Sequence, residues 1–124
     1  MSALLDCLAV GLGGAIGSIM RYLLGMVPLK QSDGMPVMTL CINVAGAFCI
    51  GLIAAAAARH SDFDPRLLLF LKVGICGGFT TFSTLSYETA GLLQEGRTGV
   101  AMAYVCLSIC LGLAAVMAAE QLVK

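Results

Sequence analysis

Tryptophan is absent from the 124 residues and histidine occurs once, at His60. Charged residues make up 11% of the chain, less than half of the ~25% that a soluble domain carries. Net charge is zero, which removes the electrostatic footprint of a nucleic-acid binder or of a protein that seeks an acidic partner. Without Trp, any belt of interfacial aromatics is thin. The six cysteines, Cys7, Cys41, Cys49, Cys76, Cys106 and Cys110, fall in apolar runs and form no Cys-x-x-Cys pair. They read as buried, reduced thiols used as small apolar residues, not as a metal site. No phosphate-binding glycine loop, His/Asp/Glu cluster or activated nucleophile occurs, so no enzyme chemistry is expected. No Lys or Arg precedes Asp6 and the first apolar run is long enough to span a bilayer, so no cleavable signal is expected either.

What remains is apolar: 60% of residues are hydrophobic and the mean hydropathy is +0.99. The pattern predicts an all-α integral membrane protein, one domain over residues 1–124, with four spans near 3–27, 37–58, 65–95 and 99–123. Pro28 ends the first span. Asp64-Pro65 is an N-cap followed by proline at the first helical position. Gly96-Arg97-Thr98 turns the chain into the last span. Three short loops force an up-down-up-down order. The third run exceeds the ~20 residues a simple span needs, so an interruption is expected near 76–80, at Gly77 and Gly78. Gly13 and Gly17 sit at GxxxG spacing, and Ala47 and Gly51 repeat a small-xxx-small pattern. Such residues bring helices together in lipid, either within one protomer or between copies.

Lys and Arg are nearly balanced between the two membrane faces. Arg59, Arg66 and Lys124 fall on one; Lys30 and Arg97 fall on the other, with Arg21 able to snorkel toward it. Orientation follows this bias in short loops, so a flat bias predicts insertion in both orientations and pairing of opposite copies.

The stretch Gly74–Glu88, GICGGFTTFSTLSYE, is the polar centre of the chain. It carries hydroxyls at Thr80, Thr81, Ser83, Thr84 and Ser86, then Tyr87 and Glu88. Lipid cannot satisfy such groups, so they face protein or a watery path. At 100° per residue, Ser83, Thr84, Tyr87 and Glu88 share one broad face, with Phe82, Leu85, Ser86 and Thr89 opposite. The hydroxyls serve a pathway or bond back to carbonyls one turn earlier. Arg21 is a snorkelling anchor or a fixed positive charge that draws anions into a vestibule. Asn43 staples two helices or donates its amide protons to a bound anion. Tyr104 and Ser108, at i and i+4, add hydroxyls on one face of the fourth span. Donors dominate the intramembrane set, and Glu88 is its carboxylate. That balance suits a small anion exchanging water for hydrogen bonds.

Three stretches, GGAIGSIMRY (13–22), TLCINVAGAFCIG (39–51) and GICGGFTTFSTLSYE (74–88), make nearly the whole chain resemble the Fluc-type fluoride channel family, also called CrcB. The resemblance implies an antiparallel, dual-topology homodimer in the bacterial plasma membrane, with two fluoride pores and a broken third helix. It implies a structural sodium ion held by the backbone carbonyls of Gly77 and Thr80. It places Asn43, Phe82, Ser83, Thr84, Leu85, Glu88, Tyr104 and Ser108 along the fluoride path, and Arg21 at the family's first-helix arginine. The expected partners are fluoride, lipid and a second copy. The expected function is a passive leak that lowers cytoplasmic fluoride, which enters from acidic media as neutral HF and dissociates inside. Two positions depart from the family: Leu85 replaces a second pore phenylalanine, and Gly112 stands where relatives often carry another hydroxyl. The alternatives are a small dual-topology multidrug-type transporter, whose first-helix glutamate this chain lacks, and a non-conducting structural subunit.

Overall fold

The computed structural model describes residues 2–29 and 33–124. Lys30, one of the charges in the topology argument, lies outside the described residues. Helix α1 covers Ser2–Gly25 and α2 covers Val37–Arg59. The third span is composite. It begins with α3 (Pro65–Leu68), widens into a π-helical segment (Leu69–Cys76), returns to α4 (Gly77–Phe79), and resumes after Thr80 and Thr81 as α5 (Phe82–Gln94). Helix α6 covers Thr98–Val123. Four stretches, 3–25, 37–59, 65–94 and 98–123, are long and apolar enough to cross a membrane, and no strand occurs among the described residues.

The helix ends follow local chemistry. Pro28 disfavours helical backbone in the residue before it. The first span therefore closes with tight bonds from Met26 N to Leu23 O (3.2 Å) and Val27 N to Leu24 O (3.1 Å). The Asp64 side chain caps α3 by accepting from Arg66 N at 3.0 Å, with Pro65 at the first helical position. Gly96, at φ +78°, ends α5 with two bonds, Arg97 N to Leu92 O (2.8 Å) and Gly96 N to Leu93 O (3.1 Å). This is the left-handed C-terminal stop that glycine favours.

Two seams hold the chain together. Helix α1 lies along the π segment and α4; α2 lies along α6, which also receives α5. The GxxxG glycines serve the first seam, not an association between copies. A Cβ on Gly13 would stand 2.9 Å from Gly74 Cα, and one on Gly17 would collide with the Ile75 carbonyl oxygen. Gly51 of the second small-residue pair faces Ala119 and Val116 of α6. Gly77 and Gly78 do not interrupt the helix themselves. Gly77 has helical angles (φ −65°, ψ −36°). Gly78 lets α4 approach α1, where a Cβ would stand 2.6 Å from Gly14 O.

The buried core is small: Met35, Leu40, Leu92, Ala101 and Tyr104 form its main cluster, with Ile42, Cys76 and Ala119 elsewhere. Of the six cysteines only Cys76 is buried; the other five lie on exposed helix faces. That corrects the expectation of buried thiols. An outward-facing apolar side chain needs no protein cover when its surroundings are lipid.

Candidate functional site

Thr80 and Thr81 are extended (φ −121°, ψ 118° and φ −131°, ψ 122°) within a span that is otherwise helical. Backbone groups inside a membrane must be satisfied by protein, and Asn43 of α2 does this. Its Oδ1 accepts from Thr81 N at 2.9 Å, and its Nδ2 donates to Thr81 O at 3.4 Å. Thr81 Oγ1 then caps α5 by accepting from Thr84 N at 3.2 Å. The Thr80 hydroxyl donates back to Cys76 O at 3.0 Å, and its methyl group fills the place a Cβ on Gly46 would take. Arg21 Nε donates to Gly78 O at 3.4 Å. Neither the Gly77 nor the Thr80 carbonyl accepts a side-chain or turn hydrogen bond among the described residues.

Two openings flank the extended pair. A recess of about 330 Å³ is lined by Asn43, Thr80, Thr81, Phe82, Leu85, Ser108 and Ile109. Ser108 Oγ is buried and has no hydrogen-bond partner among the described residues. A crevice of about 270 Å³ on the other side is lined by Arg21, Thr39, Thr81, Thr84 and Glu88, with Tyr22, Gly25, Met26 and Ile42. Glu88 also borders two further crevices toward the Asp33–Pro36 end. Its carboxylate accepts from Thr39 Oγ1 (3.1 Å, to Oε2) and from Tyr104 OH (2.8 Å, to Oε1). Tyr104 is wholly buried. One carboxylate thereby ties α2, α5 and α6 together.

The structure thus gathers Asn43, Phe82, Leu85 and Ser108 in one recess and Arg21, Thr84 and Glu88 in the neighbouring crevice, with Tyr104 behind Glu88. Gly77 opens α4 and Thr80 directly follows it; Gly77 is exposed on the surface of the chain and Thr80 borders the recess. The expected face of Ser83, Thr84, Tyr87 and Glu88 divides. The packed side of α5 runs through Thr84, Leu85, Glu88 and Leu92, spaced three to four apart, so Ser83 points outward and Tyr87 is 82% exposed. Leu85 turns inward against the core cluster, whereas Phe82 is 80% exposed at the rim of the recess. Back-bonding to carbonyls applies to Thr89, whose hydroxyl donates to Leu85 O at 2.7 Å, and to Thr80. Thr39 and Thr81 were missed as site residues. Thr39 lies four residues before Asn43, which puts both on one face of α2; that spacing was a usable signal. The Thr81 contact joins residues 38 apart in sequence, and no local pattern reports it.

Four membrane-length helices, with polar side chains converging on recesses between them, define a multi-pass membrane protein. The chain belongs to the CrcB family: the family described as CrcB-like protein, Camphor Resistance (CrcB), matches residues 8–119. The chain is 41% identical over 119 residues to the fluoride-specific ion channel FluC of Chlorobaculum tepidum, covering 96% of this chain and 94% of that protein. It is 48% identical over 107 residues to the protein of the same name from Thermus thermophilus (86% and 85% covered). To that of Rhizobium meliloti it is 39% identical over 118 residues (94% of each).

Proposed function

We propose that this protein is a fluoride-selective ion channel of the plasma membrane that passively exports fluoride from the cytoplasm. The observation in the site that carries this reading is Ser108 Oγ, buried and without a partner among the described residues, in a recess that Asn43 also lines. An unpaired hydroxyl away from water costs about 1–3 kcal/mol, and a passing anion that accepts its proton relieves that cost. Family membership supplies the ion. The path runs from the Arg21 crevice past Glu88, Tyr104 and Thr84 to the recess of Asn43, Leu85, Phe82 and Ser108. Fluoride efflux from liposomes holding the purified protein, with chloride as control, tests this. Fluoride flux well above chloride flux is expected; equal or absent fluxes overturn it.

The working unit in this reading is an antiparallel homodimer. Three features support it: the flat charge bias, the outward-facing Phe82 and Tyr87, and a thin core. The protomer exposes 7576 Å² at 12.8 kDa, against about 6,300 Å² for a compact monomer of that mass. Ser83 and Phe82 then reach the path at the surface between copies. The interrupted third helix supplies the carbonyls of Gly77 and Thr80, which accept no side-chain or turn hydrogen bond among the described residues, as ligands for a cation. An all-oxygen donor set suits Na⁺, a hard ion, which would neutralise the carbonyl dipoles at the break. Single loop cysteines in a cysteine-free background, labelled from one side of intact cells, should react in about half the molecules. Labelling of more than about nine-tenths from one side would rule out dual insertion.

A further inference from the structure

The hydroxyls along the path differ in one respect that decides what they can offer an anion. A hydroxyl has a single proton to donate. The protons of Thr39 and Tyr104 are both committed to Glu88, at 3.1 and 2.8 Å, whereas Ser108 is uncommitted. While Glu88 holds its place, Thr39 and Tyr104 turn only lone pairs toward the path, and lone pairs repel an anion. The two hydroxyls come from different helices and converge on one carboxylate. They therefore also converge on the volume a small anion would take if that carboxylate withdrew.

We infer that Thr39 and Tyr104 form a fluoride site whose resident occupant is Glu88, a tethered anion that a permeating fluoride displaces. This rests on the fluoride-channel reading above. The surroundings provide somewhere for the displaced carboxylate to go. Glu88 borders three crevices, and one of them also holds Arg21. Arg21 forms no ion pair among the described residues and commits only Nε, to Gly78 O. A carboxylate leaving the two hydroxyls meets the guanidinium across that crevice, so it exchanges one set of charge-assisted bonds for another. Fluoride in turn takes two hydroxyl protons without ordering any new donor. Exchange of this kind keeps the site filled with one negative charge at every stage. It avoids both an empty cluster of donors and two anions side by side, each of which is costly in a low-dielectric setting.

The experiment measures fluoride binding by titration calorimetry on the purified protein, alongside efflux from liposomes. Removing the tether should tighten binding and slow transport together, because the competitor is gone and the well is deeper. Glu88→Ala should lower the fluoride dissociation constant about tenfold, the scale of a charge-assisted hydrogen bond. Glu88→Gln should fall between the parent and Glu88→Ala, since an amide oxygen still claims one hydroxyl. If Glu88→Ala fails to fold, Glu88→Gln decides alone. Thr39→Val should weaken binding more on the Glu88→Ala background than on the parent, because there the Thr39 proton is free. A residue that merely held helices together would not give that asymmetry. If the parent conducts fluoride but neither Glu88 variant binds it more tightly, the tethered-anion inference is wrong and the channel reading stands. If the parent neither binds nor conducts fluoride, the channel reading itself fails.

Discussion

The two seams of the chain are built from opposite materials. Between α1 and the first half of the third span, glycine meets backbone: Gly13 lies on Phe70 and Gly74, Gly17 on Ile75 and Phe79, Gly78 on Gly14. Apart from Arg21, no side chain donates a hydrogen bond across that seam below Asp6 among the described residues. Between α2, α5 and α6 the seam carries an amide, a carboxylate and hydroxyls, namely Asn43, Glu88, Thr39, Tyr104 and Ser108. In lipid, close van der Waals packing is enough to hold helices together. Polar groups are therefore not required for cohesion, and their concentration in one seam marks where the work is done. In the reading proposed above, the first seam is the frame and the second is the path.

The contrast can be broken at either seam. Gly17→Val places a side chain on the Ile75 carbonyl and should destabilise the fold by about 3 kcal/mol or more. Loss of monodisperse protein on size exclusion would register this, and normal yield and flux would show that the frame is softer than its contacts imply. Asn43→Asp acts on the second seam. A carboxylate cannot donate to Thr81 O and repels an anion, so fluoride flux should vanish while the assembly persists on size exclusion. Flux at the parent rate would reduce Asn43 to a support for the Thr81 peptide. Phe82→Ile removes the remaining ring at the site, whose positive edge faces an anion favourably. Flux should fall at least tenfold, or roughly 1.4 kcal/mol of barrier, and parent-like conduction would make Phe82 a space filler. The smallest effect is the most diagnostic. Ser108→Ala removes a buried hydroxyl without a partner, so thermal stability in detergent should rise by about 1 kcal/mol while flux declines. If stability falls instead, Ser108 already has a partner and its hydroxyl is not held open for the ion.

Much of the frame was legible in the chain. Hydropathy located four spans to within a few residues, and Asp64-Pro65 and Gly96 marked their ends because caps are local chemistry. The adjacent glycines Gly77 and Gly78 pointed to the right region for the wrong reason. They are helical and provide close approach to α1, while the extended residues are Thr80 and Thr81. What sets that position is the Asn43 amide on another helix, a contact without a local signature. The π-helical stretch Leu69–Cys76 was likewise illegible, since its apolar sequence fits an α-helix equally well. How the hydroxyl face is turned was not legible, because helical periodicity gives relative directions around α5, not which direction faces α6. Only packing fixes that rotation, and it turned Thr84, Leu85 and Glu88 inward and left Ser83 and Tyr87 outside.

The double hydrogen bond from Asn43 to the Thr81 peptide also bears on how the molecule is made. Polypeptides emerge from the ribosome amino end first, so α2 is complete before Thr81 is synthesised. A third span alone in lipid has no amide to satisfy Thr81, and its backbone is then best served by helix throughout. The extended pair is consequently a shape conferred by an earlier segment on a later one. Assembly acquires a direction in time: the second span acts as the template on which the centre of the third is cast.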